Sequence, residues 1–169
     1  MHAYVAGTTS STDFPAKNPI PDNGTFLAKG FLTKLGPSGS IEFSSILPVD
    51  KVLALALDPQ GKAYLTGLTG GRLKPTANAL QAAPGGQSDA FVLKMDLSAP
   101  TDKAIVYSTY IGGKGADLGA AIAVDASGSA YIAGTAAEGL PAQEGGFPKH
   151  PGRTKRCLHR QGGSPGATF

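Results

Sequence analysis

One string recurs three times in this chain, and its spacing restricts the fold more than any other property. Leu57-Asp58-Pro59-Gln60-Gly61-Lys62-Ala63-Tyr64-Leu65-Thr66-Gly67 returns as Val124-Asp125-Ala126-Ser127-Gly128-Ser129-Ala130-Tyr131-Ile132-Ala133-Gly134, 67 positions later. Ala3-Tyr4-Val5-Ala6-Gly7 repeats its ending, 60 positions before Ala63 to Gly67. A second motif, Phe31-Leu32-Thr33-Lys34-Leu35, returns as Phe91-Val92-Leu93-Lys94-Met95 with the same offset of 60. Two motifs sharing one period mark a repeat architecture, in which each unit buries its apolar face against its neighbours.

Each motif reads as a strand. Ala54-Leu55-Ala56-Leu57 and Ala121-Ile122-Ala123-Val124 are short apolar runs, as expected of strands covered on both faces. Asp58-Pro59-Gln60-Gly61 and Asp125-Ala126-Ser127-Gly128 follow, with Asp first and Gly fourth, which predicts a type I turn closed by a left-handed glycine. The Phe-containing strands alternate apolar and polar residues. A fourth, serine-containing strand is expected over Ile41 to Leu47 and over Ala104 to Ile111, where β-branched and aromatic residues gather. Four strands per unit is the pattern of a β-propeller blade, with a long connection between the second and third strands.

At this point the sequence resembles a known family, the bacterial SBBP-type seven-bladed β-propeller repeats. The resemblance is carried by Tyr4-Val5-Ala6-Gly7-Thr8-Thr9-Ser10-Ser11-Thr12-Asp13-Phe14-Pro15, by Asp89-Ala90-Phe91-Val92-Leu93-Lys94-Met95-Asp96 and by Val106-Tyr107-Ser108-Thr109-Tyr110-Ile111-Gly112-Gly113. It implies an all-β propeller segment of an exported or cell-surface protein, a binding or scaffold module, and a motif without catalytic residues. The expected organisation is a partial blade at 3–47, a complete blade at 50–113, a partial blade at 115–148 and a basic disordered tail at 149–169. That amounts to about two and a quarter blades, short of the four to eight of a closed ring. Further blades or self-association are therefore expected as partners, and uncovered blade faces and sheet edges predict poor solubility in isolation.

The net charge of +3 invites a nucleic-acid reading, but residues 1–148 carry all twelve acidic residues and only ten of the fifteen basic ones. The excess lies in Lys149, Arg153, Lys155, Arg156 and Arg160, so it describes the tail and not a folded face. No basic stripe with interleaved aromatics accompanies it, which argues against nucleic acid as a partner. No apolar run approaches the roughly 18 residues of a membrane span. The opening Met1-His2-Ala3-Tyr4 begins a strand pattern and lacks the order of a signal peptide, so no export signal is expected within this segment. After Gly146-Phe147-Pro148 the repeat pattern stops, and a run rich in Cys, His and Arg replaces the expected Phe-containing strand. This predicts a reading-frame slip near residue 149 and a truncated product, the alternative to a functional module.

Candidate sites are few. Cys157 is the one cysteine, so no disulfide framework exists, and His150, Cys157 and His159 match no common zinc spacing. The serines Ser10, Ser11, Ser44, Ser45 and Ser108 have no foreseeable His and acid partners for a hydrolase triad. Gly112-Gly113-Lys114-Gly115-Ala116-Asp117-Leu118-Gly119 lacks the Lys-Ser/Thr ending of a phosphate loop. Asp58, Asp117 and Asp125 are candidate calcium ligands, set against their alternative role as turn residues. Tyr4, Tyr64 and Tyr131 recur at one blade position and are candidate contacts for a protein or polysaccharide ligand, set against packing between blades. No catalytic residue and no organic cofactor is expected, and a propeller enzyme domain is the most distant alternative.

Overall fold

The computed structural model describes residues 2–21, 28–140 and, for the backbone alone, 155–161. Ten strands form three antiparallel sheets, and the described residues include no α-helix. The first sheet has the order β1 (Ala3–Thr9), β2 (Lys29–Leu35), β3 (Ile41–Ile46). The second is a complete meander of β4 (Lys51–Leu57), β5 (Ala63–Thr69), β6 (Asp89–Met95) and β7 (Ile105–Ile111). The third contains β8 (Leu118–Val124), β9 (Ala130–Ala136) and β10 (Lys155–Gln161). Incomplete propeller blades stacked face to face are the architecture.

Stacking follows from burial on both faces of the middle sheet. Phe91, Leu93 and Met95 of β6 are fully buried and join Leu65, Leu32, Phe43, Leu47 and Val49 in a core between the first and second sheets. The intervening Ala90 and Val92 join Tyr107, Ile111 and Ile132 in a second core towards the third sheet. A period-2 strand that is apolar at both parities can satisfy two cores at once, and each large side chain so buried contributes roughly 1.5–3 kcal/mol.

The two expected hairpins form. Gly61 and Gly128 take φ of 78° and 82°, and each donates its N–H to the carbonyl of the turn's Asp, at 2.9 Å for Asp58 and 3.0 Å for Asp125. One feature common to both first strands has no counterpart in the sequence reading. Leu53 stands unpaired between the pairs Val52↔Gly67 and Ala54↔Thr66, and Ala120 stands likewise between Gly119↔Gly134 and Ala121↔Ala133. These bulges lie 67 positions apart and press a carbonyl, from Lys51 or Leu118, onto the glycine of the next strand, where a Cβ would collide with it.

The outer edge of each of the first two blades is covered, because its long connection returns along its own fourth strand. In the first sheet Lys17 and Ser44 exchange backbone hydrogen bonds at 2.8 and 2.9 Å. In the second, Thr76 donates its N–H to the Ser108 carbonyl and Tyr110 donates its N–H to the Gln81 carbonyl. The tail at 149–169, expected to be disordered, is in part a strand. Residues 155–161 instead form β10, paired with β9 from Lys155↔Ala136 to Gln161↔Ala130. An edge strand offers main-chain N–H and C=O groups whatever the sequence that meets them, which explains a strand without strand periodicity. The remainder of the tail, and His150 with it, lies outside the described residues.

Candidate functional site

The polar residues that recur from blade to blade converge on turns and on the junctions between sheets. Asp58 Oδ1 accepts hydrogen bonds from the N–H groups of Gln60 at 3.0 Å and Lys62 at 2.9 Å, while Oδ2 accepts from the Tyr64 hydroxyl at 3.3 Å. One repeat later Asp125 Oδ1 accepts from the N–H groups of Ser127 and Ser129, and Oδ2 accepts from the Tyr131 hydroxyl at 3.1 Å. The Ser127 hydroxyl, the main chain of Ser129 and the Tyr131 hydroxyl together hold the Asp125 carboxyl down at about 2.

Asp117 connects two loops: Oδ2 accepts from Gly113 N–H at 2.8 Å and Oδ1 from Ala137 N–H at 2.7 Å. Asp50, 67 positions earlier, accepts from Gly70 N–H at 2.7 Å, the counterpart of Ala137. The sequence reading missed Asp50, whose signal was its offset from Asp117. Asp50 also lies 3.6 Å from the Arg72 guanidinium, which donates to the Val49 carbonyl at 3.2 Å and so couples the first two blades. All three calcium candidates thus have main-chain donors on their oxygens, and the described residues contain no group of three or more metal-type side chains.

Asp89 is the further acid at this end of the blades. It is fully buried, with Gly85 N–H 3.1 Å from both carboxylate oxygens, and it flanks Gly112 together with Asp117. Burial pushes its carboxyl above the ordinary range, against the pull of the Gly85 and Gly86 N–H groups, and the Asp117 charge adds to the rise. The run from Gly112 to Asp117 is therefore the loop between blades, with Leu118 and Gly119 opening β8: Gly113 faces Asp117, Lys114 N–H donates to the Glu138 carbonyl, and Asp117 N–H donates to the Ser88 carbonyl.

The three tyrosines differ in their surroundings. Tyr64 is 0% exposed, its hydroxyl donates to the Gly128 carbonyl of the third sheet at 3.1 Å, and Lys94 Nζ lies 4.7 Å from its ring centroid. Burial raises its pKa. Tyr131 and Tyr4 are half-buried at the same position of their blades. A blade packed against its face removes Tyr64 from solvent.

Four of the five candidate serines likewise have structural partners. Ser108 Oγ donates to the Lys74 carbonyl at 2.6 Å, Ser45 Oγ accepts from Ile20 N–H at 2.9 Å, and Ser44 Oγ lies 2.9 Å from Thr33 Oγ1. Ser11 is bonded to Asp13. Between the second and third sheets, Ala90, Ile111, Leu118, Ile132 and Leu140 line a cavity of about 30 Å³, space on the scale of a single water.

The strand at Ile105–Ile111, the loop through Asp117 and the hairpin of β8 and β9 are one continuous unit that matches a family model, over residues 106–141, described as a beta-propeller repeat. Residues 106–141 are similar to SBBP propeller repeats. The match begins in the fourth strand of one blade and ends just after the second strand of the next, so the matched segment straddles the junction held by Asp117. No curated protein matches the chain.

Proposed function

We propose that this chain is a non-catalytic SBBP propeller segment of a cell-surface or secreted protein, serving as a binding or scaffold module for a protein or polysaccharide. One observation carries the reading: the polar side chains that recur with the repeat, Asp58 and Asp125, Asp50 and Asp117, Tyr64 and Tyr131, serve turns and junctions between blades. Recurrence in a catalytic domain would place such groups around a reacting centre, whereas here it maintains the stack. No helix of the described residues is long and apolar enough to cross a membrane. Fractionating the source cells and probing each fraction with an antibody tests the location. Recovery in the envelope or medium is expected, and recovery confined to the cytosol overturns it.

A second reading, a truncated product without independent function, is favoured by the third sheet. There β10 takes the place that the Phe-containing strand holds in the first two blades, with a sequence unlike Phe31 to Leu35 or Phe91 to Met95. Reading the gene in the alternative frame after residue 148 distinguishes the two. A Phe-Val-x-Lys strand there supports truncation, and its absence removes this reading.

A further inference from the structure

Lys34 and Lys94 hold one repeat position, each opposite the aromatic residue of the fourth strand, Phe43 or Tyr107, yet their ammonium groups meet different surroundings. In the first sheet Lys34 Nζ lies 2.8 Å from Glu42 Oε2, and the hydrogen bond to that carboxylate raises the Lys34 pKa. Glu42 is the extra residue of a bulge, between the pairs Lys34↔Phe43 and Leu35↔Ile41. The matching bulge of the second sheet lies between Lys94↔Tyr107 and Met95↔Ile105, and its extra residue is Val106, which is 42% exposed and has no charge to offer. Among the described residues Lys94 Nζ has no hydrogen bond and no ion pair. It lies 4.7 Å from the centroid of the Tyr64 ring, and a Cβ added at Gly128 would stand 3.8 Å from it. Gly128 belongs to the β8–β9 turn, so this amine sits where the second blade meets the third. Burial lowers the Lys94 pKa, with Asp58 pulling the other way, which is the opposite of the outcome at Lys34. A ring face attracts a cation but does not accept its N–H as a carboxylate does.

We propose that Lys94 is a covalent modification site that takes a small aldehyde, held as a protonated imine at the junction of the second and third blades. An amine that is partly desolvated and lacks a counter-ion spends more of its time as the neutral nucleophile, the property that suits lysine to Schiff-base chemistry. The nitrogen lone pair forms the bond to the carbonyl carbon, the carbonyl oxygen leaves as water with the two amine protons, and the imine takes one proton from solvent. Charge selects the aldehyde over an acyl donor. An amide would remove the cation from the Tyr64 ring and from the field of Asp58, whereas a protonated imine keeps it in both. Lys94 is half-buried, which leaves part of the side chain open to a small reagent. Lys34 lacks the property because Glu42 holds its ammonium.

The test treats the full chain at neutral pH with glycolaldehyde, traps imines with cyanoborohydride and follows each lysine by peptide mass spectrometry. Lys94 is expected to be labelled about threefold or more faster than Lys34 and than the exposed Lys103. Val106→Glu gives Lys94 the carboxylate that Lys34 already has, at an exposed position, and is expected to bring its rate down to that of Lys34. If that variant fails to fold, the reciprocal Glu42→Val serves, and Lys34 should then be labelled faster than in the unaltered chain. In guanidinium the preference for Lys94 should vanish. A Lys94 rate no higher than that of Lys103, a rate indifferent to these substitutions, or a preference that persists in the unfolded chain overturns the proposal. The stacked-blade reading stands apart from the result, since it rests on the sheet order and the matched repeat.

Discussion

The hydroxyl of Tyr64 donates to the carbonyl of Gly128 at 3.1 Å, joining two hairpins that lie in successive blades. The same hydroxyl faces Asp58 within its own hairpin, so one oxygen ties a turn to its neighbour's turn. Tyr64→Phe leaves a buried carbonyl and a carboxylate oxygen short of a donor, and should lower the unfolding free energy by about 1–3 kcal/mol. Tyr131→Phe should cost less, because Tyr131 is only half-buried. Urea denaturation of both variants checks the order, and equal losses would contradict the coupling of blades through Tyr64.

Asp117 holds the loop between blades with two charge-assisted bonds from the main chain, in a site 1% exposed. Asp117→Ala strands the N–H groups of Gly113 and Ala137 and is expected to destabilise the chain by about 2–4 kcal/mol. Asp50→Ala should be milder, since the Asp50 side chain is 27% exposed and water reaches its partners. Hydrogen exchange localises the effect: Gly113 and Ala137 should lose protection in the first variant, Gly70 in the second.

Two carboxyls give opposite pH responses. Asp125 is held at about 2, below its unfolded value, so its contribution is present above pH 4 and is lost as pH falls towards 2. Asp89 is raised by burial, so the folded state binds its proton more readily than the unfolded one and gains relative stability as pH falls through the raised value. Asp89→Asn should therefore flatten the gain on mild acidification, and Ser127→Ala should lift the Asp125 pKa in an NMR titration. An unchanged acid limb in Asp89→Asn would show that the Asp89 charge is not uncomfortable where it sits.

Gly67→Ala places a methyl group against the Lys51 carbonyl, which is main chain and cannot step aside without moving β4. A loss of about 2–4 kcal/mol is expected. Gly7→Ala meets only a ring edge and should cost under about 1 kcal/mol. Thermal unfolding of the pair decides whether the bulge, or a general intolerance of side chains in these strands, explains the glycine.

What could be read in the sequence was local or periodic. The turns at Asp58 and Asp125 were legible because an Asp that caps its own turn requires only the next few residues. Stacking was legible in the shared repeat period, whereas the alternation read for the Phe-containing strands missed that β6 is apolar at both parities. Partners some thirty residues apart were not: Ser108 read as a strand serine, and its bond to Lys74 depends on a connection whose path no local pattern encodes. Asp50 escaped because Val49-Asp50-Lys51 and Ala116-Asp117-Leu118 share only the acid. The bulges at Leu53 and Ala120 escaped because one extra residue in a strand leaves no compositional trace, except for the glycine opposite. β10 was illegible because its pairing draws on main-chain groups that every sequence possesses.

The return of each connection along its own fourth strand, through Lys17 on Ser44 and through Thr76 on Ser108, has a consequence for assembly. With the outer rim of the first two blades occupied by the chain itself, lateral fusion of those rims with another blade's is blocked. The first two blades thus have sealed flanks, which a strand from another molecule does not extend.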